Sequence, residues 1–126
     1  MSLRTHNNRF ALVCLIAFGI VFLLLAIKPS HRDDWLLENV IVFLSVPALL
    51  LMHWHLPLSR ISYGLILAFL CTHEVGSHYT YSEVPYDRWM TSLFGTGLND
   101  MLGWDRNHYD RIVHFLWGLF LTYPIR

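Results

Sequence analysis

Charged residues are scarce in this chain of 126 residues, since only 14% of them are Asp, Glu, Lys or Arg. A soluble domain usually carries about 25% charged residues, so this chain lacks the polar surface that a globule in water needs. The hydrophobic share is 55%, and the composition predicts a protein of the lipid bilayer. Nine basic residues balance nine acidic ones. Without a basic excess, nucleic acid is excluded as a partner.

Cysteine is almost absent, and the two residues present, Cys14 and Cys71, both lie in apolar runs. This placement argues against a disulfide framework and against a zinc pair with ligand spacing. The sequence also lacks a nucleophile motif, a glycine-rich phosphate loop and a cofactor fingerprint. Whether the protein is an enzyme, and which cofactor it would use, therefore stay open at this point.

Four long apolar runs organise the chain, at residues 10–27, 35–54, 61–81 and 107–126. A helix needs about 20 predominantly apolar residues to cross a bilayer, so each run is predicted to be one transmembrane helix. The predicted fold class is all-α, an integral membrane bundle of about four transmembrane helices in a single domain over residues 1–126. Because the chain ends directly after the fourth run, we expect it to be truncated at its C-terminus relative to a longer protein.

The connection at residues 82–106 joins the third and fourth runs and contains Pro85 and three glycines among its apolar residues. These apolar residues recur close to helical spacing, which predicts one or two short amphipathic helices lying in the membrane interface. Asp87 is the predicted N-cap of the first of them. Two interpretations stay open, a lid over the third and fourth helices or a solvent-facing linker with aromatic anchors.

Two histidine-rich segments, residues 71–81 and 105–115, interrupt the apolar pattern. Glu74 and His78 are four residues apart and share a helix face, and Asp110 and His114 repeat that relation. At 1.5 Å rise per residue, Glu74 and His114 each lie roughly 10 Å from the same membrane face. An antiparallel pair of helices is therefore predicted to bring these two carboxylates and two imidazoles together within the bilayer.

Such a cluster has a functional and a structural interpretation. As a site for acid–base or metal-dependent chemistry, it would use Glu74, His78, Asp110 and His114, with Arg111 holding an anionic group. The candidate ligands for a divalent metal are His73, Glu74, His78, His108, Asp110 and His114. Behind these groups, Arg111 and His73, Ser77, Tyr79 and Tyr81 would either orient them or contact an anion. Two alternatives stay open. Either the groups satisfy one another and only fix the third helix against the fourth, or their side chains extend separately to the membrane interface and form no shared site.

The remaining polar residues are interpreted by their positions at helix ends. His31, His53 and His55 are predicted to be interfacial. Acidic residues at 33, 34 and 38 fit the first turn of a helix, where the helix dipole favours negative charge. For Glu38 and Asn39, a role in a pocket is the alternative, because both lie at the start of a predicted span.

Three stretches of the sequence closely resemble the YjdF-like family of bacterial inner-membrane proteins, namely RDDWLLEN at 32–39, HEVGSHYTYSEVP at 73–85 and RNHYDRIVHF at 106–115. The resemblance covers nearly the whole chain. It implies a multi-span protein of the bacterial inner membrane, in a family of unestablished function whose members are longer than this chain. Separately, DRIVHF at 110–115 is similar to the D-K-x-x-H-F motif of VanZ-like membrane proteins, with Arg111 in place of Lys.

Three functions follow as hypotheses. The first is a membrane-embedded enzyme acting on a lipid or another amphiphile that enters from the bilayer. The second is a non-catalytic module that binds or transports protons or a small ligand through the same groups. The third is a structural or partner-binding membrane protein.

Overall fold

The computed structural model describes residues 3–125, with side chains from Asn7 onward. These residues form helices and, within that range, no strand, which confirms the all-α prediction. The elements are α1 (Leu3–Leu25), α2 (Arg32–Glu38), α3 (Val40–His55), α4 (Arg60–Tyr79), a 3₁₀ turn (Tyr81–Glu83), α5 (Tyr86–Phe94), α6 (Leu98–Leu102) and α7 (Tyr109–Ile125). Residues 1, 2 and 126, which the predicted domain includes, lie outside the described part.

Asn39 interrupts the second predicted span and divides it into α2 and α3. The backbone hydrogen bonds nevertheless continue, because the Asn39 N–H donates to the Trp35 carbonyl at 3.0 Å and the Asn39 carbonyl accepts from Phe43 N–H at 2.9 Å. The buried Asn39 side chain adds a further bond to the Trp35 carbonyl at 2.9 Å. The two helices therefore form one rod.

Two stretches are long and apolar enough to cross a membrane, Asn7–Leu25 in α1 and Arg32–His55 in the α2–α3 rod. Only 6% of the first and 17% of the second is buried inside the molecule. Core helices of soluble proteins bury their apolar faces, whereas these two present them outward, as helices in lipid do.

The central element is α4, which packs against α1 on one side and α7 on another. The predicted pairing of the third and fourth apolar runs is thereby confirmed. A buried apolar cluster lies where α4, α7 and the connection meet, and it consists of Phe69, Val84, Tyr86, Tyr109 and Val113. This cluster holds the polar end of α4 against the start of α7.

The connection between α4 and α7 is tied to both helices. Val84 is fully buried, and its carbonyl accepts a hydrogen bond from the Asn107 side chain at 2.7 Å. The Tyr86 hydroxyl accepts from the His108 N–H at 3.0 Å and donates to Asn99 at 2.7 Å. These contacts fix the connection over one end of the helix pair.

The predicted role of Asp87 as N-cap of α5 is wrong, because Pro85 occupies that position. Asp87 instead caps the following helix, since its Oδ1 accepts from the Asn99 N–H in the first turn of α6 at 2.7 Å. Gly97 permits this approach. A Cβ at position 97 would lie 2.3 Å from the same carboxylate oxygen.

Candidate functional site

Glu74, the first residue of the predicted site, is fully buried. Its side chain has no exposed surface, and neither carboxyl oxygen has a hydrogen-bond partner. It lies close enough to Cys71 and Tyr81 for electrostatic interaction with both. Buried polar groups are almost always paired, so a fully buried acid without a partner calls for a chemical explanation.

His73, the neighbour of Glu74 on α4, is held by hydrogen bonds on both ring nitrogens. Nε2 lies 2.9 Å from the Glu38 carbonyl, which can only accept, so Nε2 carries the hydrogen. In the neutral ring, Nδ1 then accepts from the Tyr81 hydroxyl. The Ser77 hydroxyl donates to the His73 carbonyl at 3.1 Å. A fixed tautomer of His73 thus lies beside Glu74.

The chain reverses at Thr80 so that Tyr81 can reach back to His73. Thr80 has a φ of +63°, a conformation that β-branched residues rarely adopt. The Tyr81 ring then lies across Gly76, where an added Cβ would come within 2.6 Å of the ring. Close approach of the turn to α4 therefore requires glycine at this position.

The start of α7 closes the site from the other side. The Tyr109 hydroxyl donates to the Thr72 carbonyl on α4 at 2.6 Å, and its ring lies 5.8 Å from that of Tyr81. Asp110 follows, with one carboxyl oxygen buried and without a partner. Burial, together with the nearby Arg106 and Arg111, lowers the pKa of His108, while Asp110 acts in the opposite direction.

The other three predicted site residues point elsewhere. His78 donates from Nδ1 to the Leu25 carbonyl of α1 at 2.7 Å. His114 is exposed, and its Nδ1 donates to the Asp110 carbonyl of its own helix at 2.7 Å. Arg111 is also exposed. Helices α4 and α7 therefore meet as expected, but neither His78 nor His114 makes a hydrogen bond to Glu74.

Among the described side chains, no three His, Cys, Asp or Glu residues are arranged to hold one metal ion. The described geometry thus does not assemble a metal centre from the six candidate ligands, which are His73, Glu74, His78, His108, Asp110 and His114. What it does assemble is an enclosed polar group of Glu74, His73, Ser77, Tyr81 and Tyr109. Such a group can hold a proton on Glu74, while separate hydrogen bonds join His73 to Ser77 and to Tyr81.

Sequence reasoning missed two residues that shape the site, Tyr109 and Gly76. Tyr109 stands directly before the Asp110–His114 pair, yet it is the residue whose hydroxyl joins α7 to α4. The signal was available, because a buried tyrosine near a helix start needs a partner for its hydroxyl. Gly76 gave a weaker signal, since a glycine inside a helix suggests close packing without naming the neighbour.

Comparison with known proteins identifies related sequences. Residues 10–126 match the model of the family described as "Predicted membrane protein (DUF2238)". The protein named "Inner membrane protein YjdF" from Escherichia coli (strain K12) is 31% identical over 104 residues, which make up 82% of this chain and 46% of that protein. The chain thus spans about half the length of this curated relative. No solved structure matches the chain.

Proposed function

In this chain, which belongs to the YjdF-like family of predicted membrane proteins and is an integral protein of the bacterial inner membrane, we propose that Glu74 binds a proton inside the bilayer. One observation carries the proposal. Glu74 is completely buried, and both of its carboxyl oxygens lack a partner. The proposed module is non-catalytic and holds a proton or a small ligand in the enclosed polar group.

The cost of burying charge supports a protonated Glu74. An ionised carboxylate without a partner in a low-dielectric interior is so unfavourable that the group takes up a proton instead. The described side chains offer no cation in salt-bridge contact with Glu74, since the ion pair among them joins His31 to Glu83. Ionisable residues at membrane depth are characteristic of proton relays and ligand sites.

The neighbours of Glu74 suit a site that exchanges a proton. Tyr81 lies within electrostatic range of Glu74, Glu38 and Tyr109, and it is hydrogen-bonded to His73. Hydroxyl and imidazole groups both donate and accept, so the pair can rearrange when the charge on Glu74 changes. The turn that carries Tyr81 forms one wall of the site.

The proposal includes four membrane crossings, by α1, by the α2–α3 rod, by α4 and by α7. Helix α4 has 20 residues and α7 has 17, which correspond to about 30 Å and 25 Å against a hydrocarbon core of about 30 Å. Because α4 packs directly on α1, it lies in the bilayer beside that span. Between α4 and α7, the connection lies in the interface and directs Leu93, Phe94, Met101 and Leu102, all exposed, towards lipid.

Single cysteines in a variant lacking Cys14 and Cys71 test the crossings by the α2–α3 rod and by α4. Ser30, Ser59 and Thr96 are exposed residues in connections, and each would be replaced by cysteine. We expect a membrane-impermeant thiol reagent to label S30C and T96C from one side of the inner membrane and S59C from the other. Labelling of S59C and T96C from the same side would show that α4 does not cross.

Reaction with dicyclohexylcarbodiimide tests the proton on Glu74. This apolar reagent enters membranes and modifies protonated carboxyl groups, so we expect one adduct that peptide mapping locates at Glu74. Glu74→Gln should lose the adduct, while the matched variant of an exposed acid, Glu83→Gln, should keep it. An unchanged adduct in Glu74→Gln, or none in the wild type, would contradict the proposal.

A second candidate function is acid catalysis on an amphiphile, which would use Glu74 with Asp110. The specific observation behind it is the buried Asp110 Oδ1 without a partner, at the start of a helix that packs on α4. In this case the carbodiimide should label both acids. In addition, Asp110→Asn should abolish turnover of a bilayer lipid that the wild type consumes, whereas a purely proton-binding module consumes none.

A further inference from the structure

A separate cavity lies between α1, α3 and α4, towards the opposite end of α4 from Glu74. Its volume is about 310 Å³, and its walls are almost entirely apolar. We infer that it binds one acyl chain of an anionic phospholipid. This inference does not rest on the proton site, because the lining residues include none of the enclosed polar group around Glu74.

The cavity has the length of one lipid leaflet. Along α1 it extends from Asn8 to Phe18, a distance of about 15 Å at the helical rise. Half of a hydrocarbon core of about 30 Å is the same length. The depth therefore fits a chain that enters from one membrane face and ends near the midplane.

The opening of the cavity faces the bilayer. Leu12 of α1 and Leu50 and Trp54 of α3 all line it, and they are 55%, 45% and 70% exposed. An apolar cavity does not hold ordered water, so a space that opens between membrane-spanning helices fills with hydrocarbon. The cavity is continuous with the lipid-facing surface of α1 and α3, so its occupant comes from the bilayer.

A hydrogen-bonded group of Asn8, His53 and Tyr63 stands at the end of the cavity nearest the membrane face. His53 Nε2 lies 2.8 Å from Asn8 Oδ1, and because an amide oxygen can only accept, Nε2 is the donor. In the neutral ring, Nδ1 then accepts from the Tyr63 hydroxyl at 2.5 Å, which itself accepts from the Leu58 N–H at 3.2 Å. This arrangement leaves the amide N–H₂ of Asn8 to donate to a head-group oxygen.

The charges at this end favour an anionic head group. No Asp or Glu occurs in residues 1–32, 39–73 or 112–126, which include all of α1, α3 and the first part of α4. Arg9 and Arg60 are exposed there, and the Arg60 guanidinium lies over the Phe10 ring of α1 at 5.9 Å. A phosphate at the level of Asn8 would therefore meet positive charge and no carboxylate.

Native mass spectrometry of the purified protein tests the inference, with phosphatidylglycerol and phosphatidylcholine offered at equal concentration. We expect the wild type to retain one phosphatidylglycerol in preference to phosphatidylcholine. Ala11→Phe fills the cavity and should lose the bound lipid, while Ala48→Phe, at an exposed alanine of α3 outside the lining, should retain it. Arg60→Gln should lower retention about fivefold, the effect of one basic residue at an anionic surface.

Alkylation of Cys14 reports whether the cavity is occupied. It needs no substitution in the lining, because Cys14 is itself one of the lining residues. In a Cys71→Ala background, phosphatidylglycerol should slow alkylation of Cys14 by an apolar maleimide, and phosphatidylcholine should not. Equal retention and equal protection by the two lipids would overturn the inference. So would lipid retained in Ala11→Phe, or a second copy of the chain in place of lipid.

Discussion

The two ends of the helical bundle differ in charge and in packing. Every one of the nine acidic residues lies in the segments 33–38, 74–87 or 100–110, at the end where α4 finishes and α7 begins. The opposite end, where α3 finishes and α4 begins, carries arginines and no acid. The same helix therefore has an acid at one end and an acid-free, cationic surface at the other.

Packing follows the same division. Around Glu74, the 3₁₀ turn, the connection and α7 close over α4 and bury His73, Glu74 and Ser77. Around Tyr63, the described part of the chain places α1 and the short link between α3 and α4 but no covering connection, and the cavity between the helices stays open. The difference teaches that, in the described part of the chain, polar groups are enclosed where a connection covers α4, and an apolar cavity remains where none does.

Among the variants that probe this difference, Gly76→Ala should change the free energy of unfolding most. The added Cβ would lie within 3.0 Å of three Tyr81 ring atoms, so the ring must move away from its hydrogen bond with His73. We expect a loss of about 2–4 kcal/mol in the free energy of unfolding, from overpacking and an unpaired imidazole together. Unfolding of the variant and of the wild type in mixed micelles measures this loss.

The matched control is Gly64→Ala on the same helix. A Cβ at Gly64 meets nothing within 4 Å, so this change should leave stability the same or raise it by about 0.5–1 kcal/mol. Equal losses in the two variants would show that the turn does not pack on α4 as described.

A pair of tyrosine variants compares the two ends directly. Tyr81→Phe removes the partner of a buried imidazole and should cost about 1–2 kcal/mol. Tyr63→Phe removes the corresponding partner of His53, which is only partly buried and can bond to water instead, so the cost should stay below about 1 kcal/mol. The difference in unfolding free energy is the measurement, and a larger loss in Tyr63→Phe would reverse the contrast between the closed and open ends.

The helices could be predicted from the sequence because each one appears as a local run of apolar residues. The apolar runs predicted both ends of α4 and α7 to within two residues, whereas α1 begins at Leu3, seven residues before the first run, and α3 begins at Val40. The depth of the Glu74 and Asp110 motifs led to the α4–α7 pairing. Family membership followed from the same polar motifs. These features depend on composition and spacing, which a single chain displays without knowledge of its neighbours.

The directions of individual side chains did not follow from spacing. His78 shares a face with Glu74, but it stands at the end of α4, beside the last residue of α1. The Leu25 carbonyl has no partner within its own helix, and His78 satisfies it at 2.7 Å. His114 likewise bonds to its own helix. Local backbone acceptors decided both orientations, and the i,i+4 pattern contains no information about them.

The smallest effect is expected at the exposed contact between His31 and Glu83. Their side chains meet at 3.2 Å, but both are more than half exposed, so water and salt screen the pair. Glu83→Gln should therefore change the free energy of unfolding by less than about 0.5 kcal/mol. The link between α1 and α2 keeps its backbone bond from Ser30 N–H to the His78 carbonyl at 2.8 Å, which the substitution leaves intact. A loss comparable to that of Tyr81→Phe would mean that the acidic end is held together by surface charge instead of by the buried tyrosines.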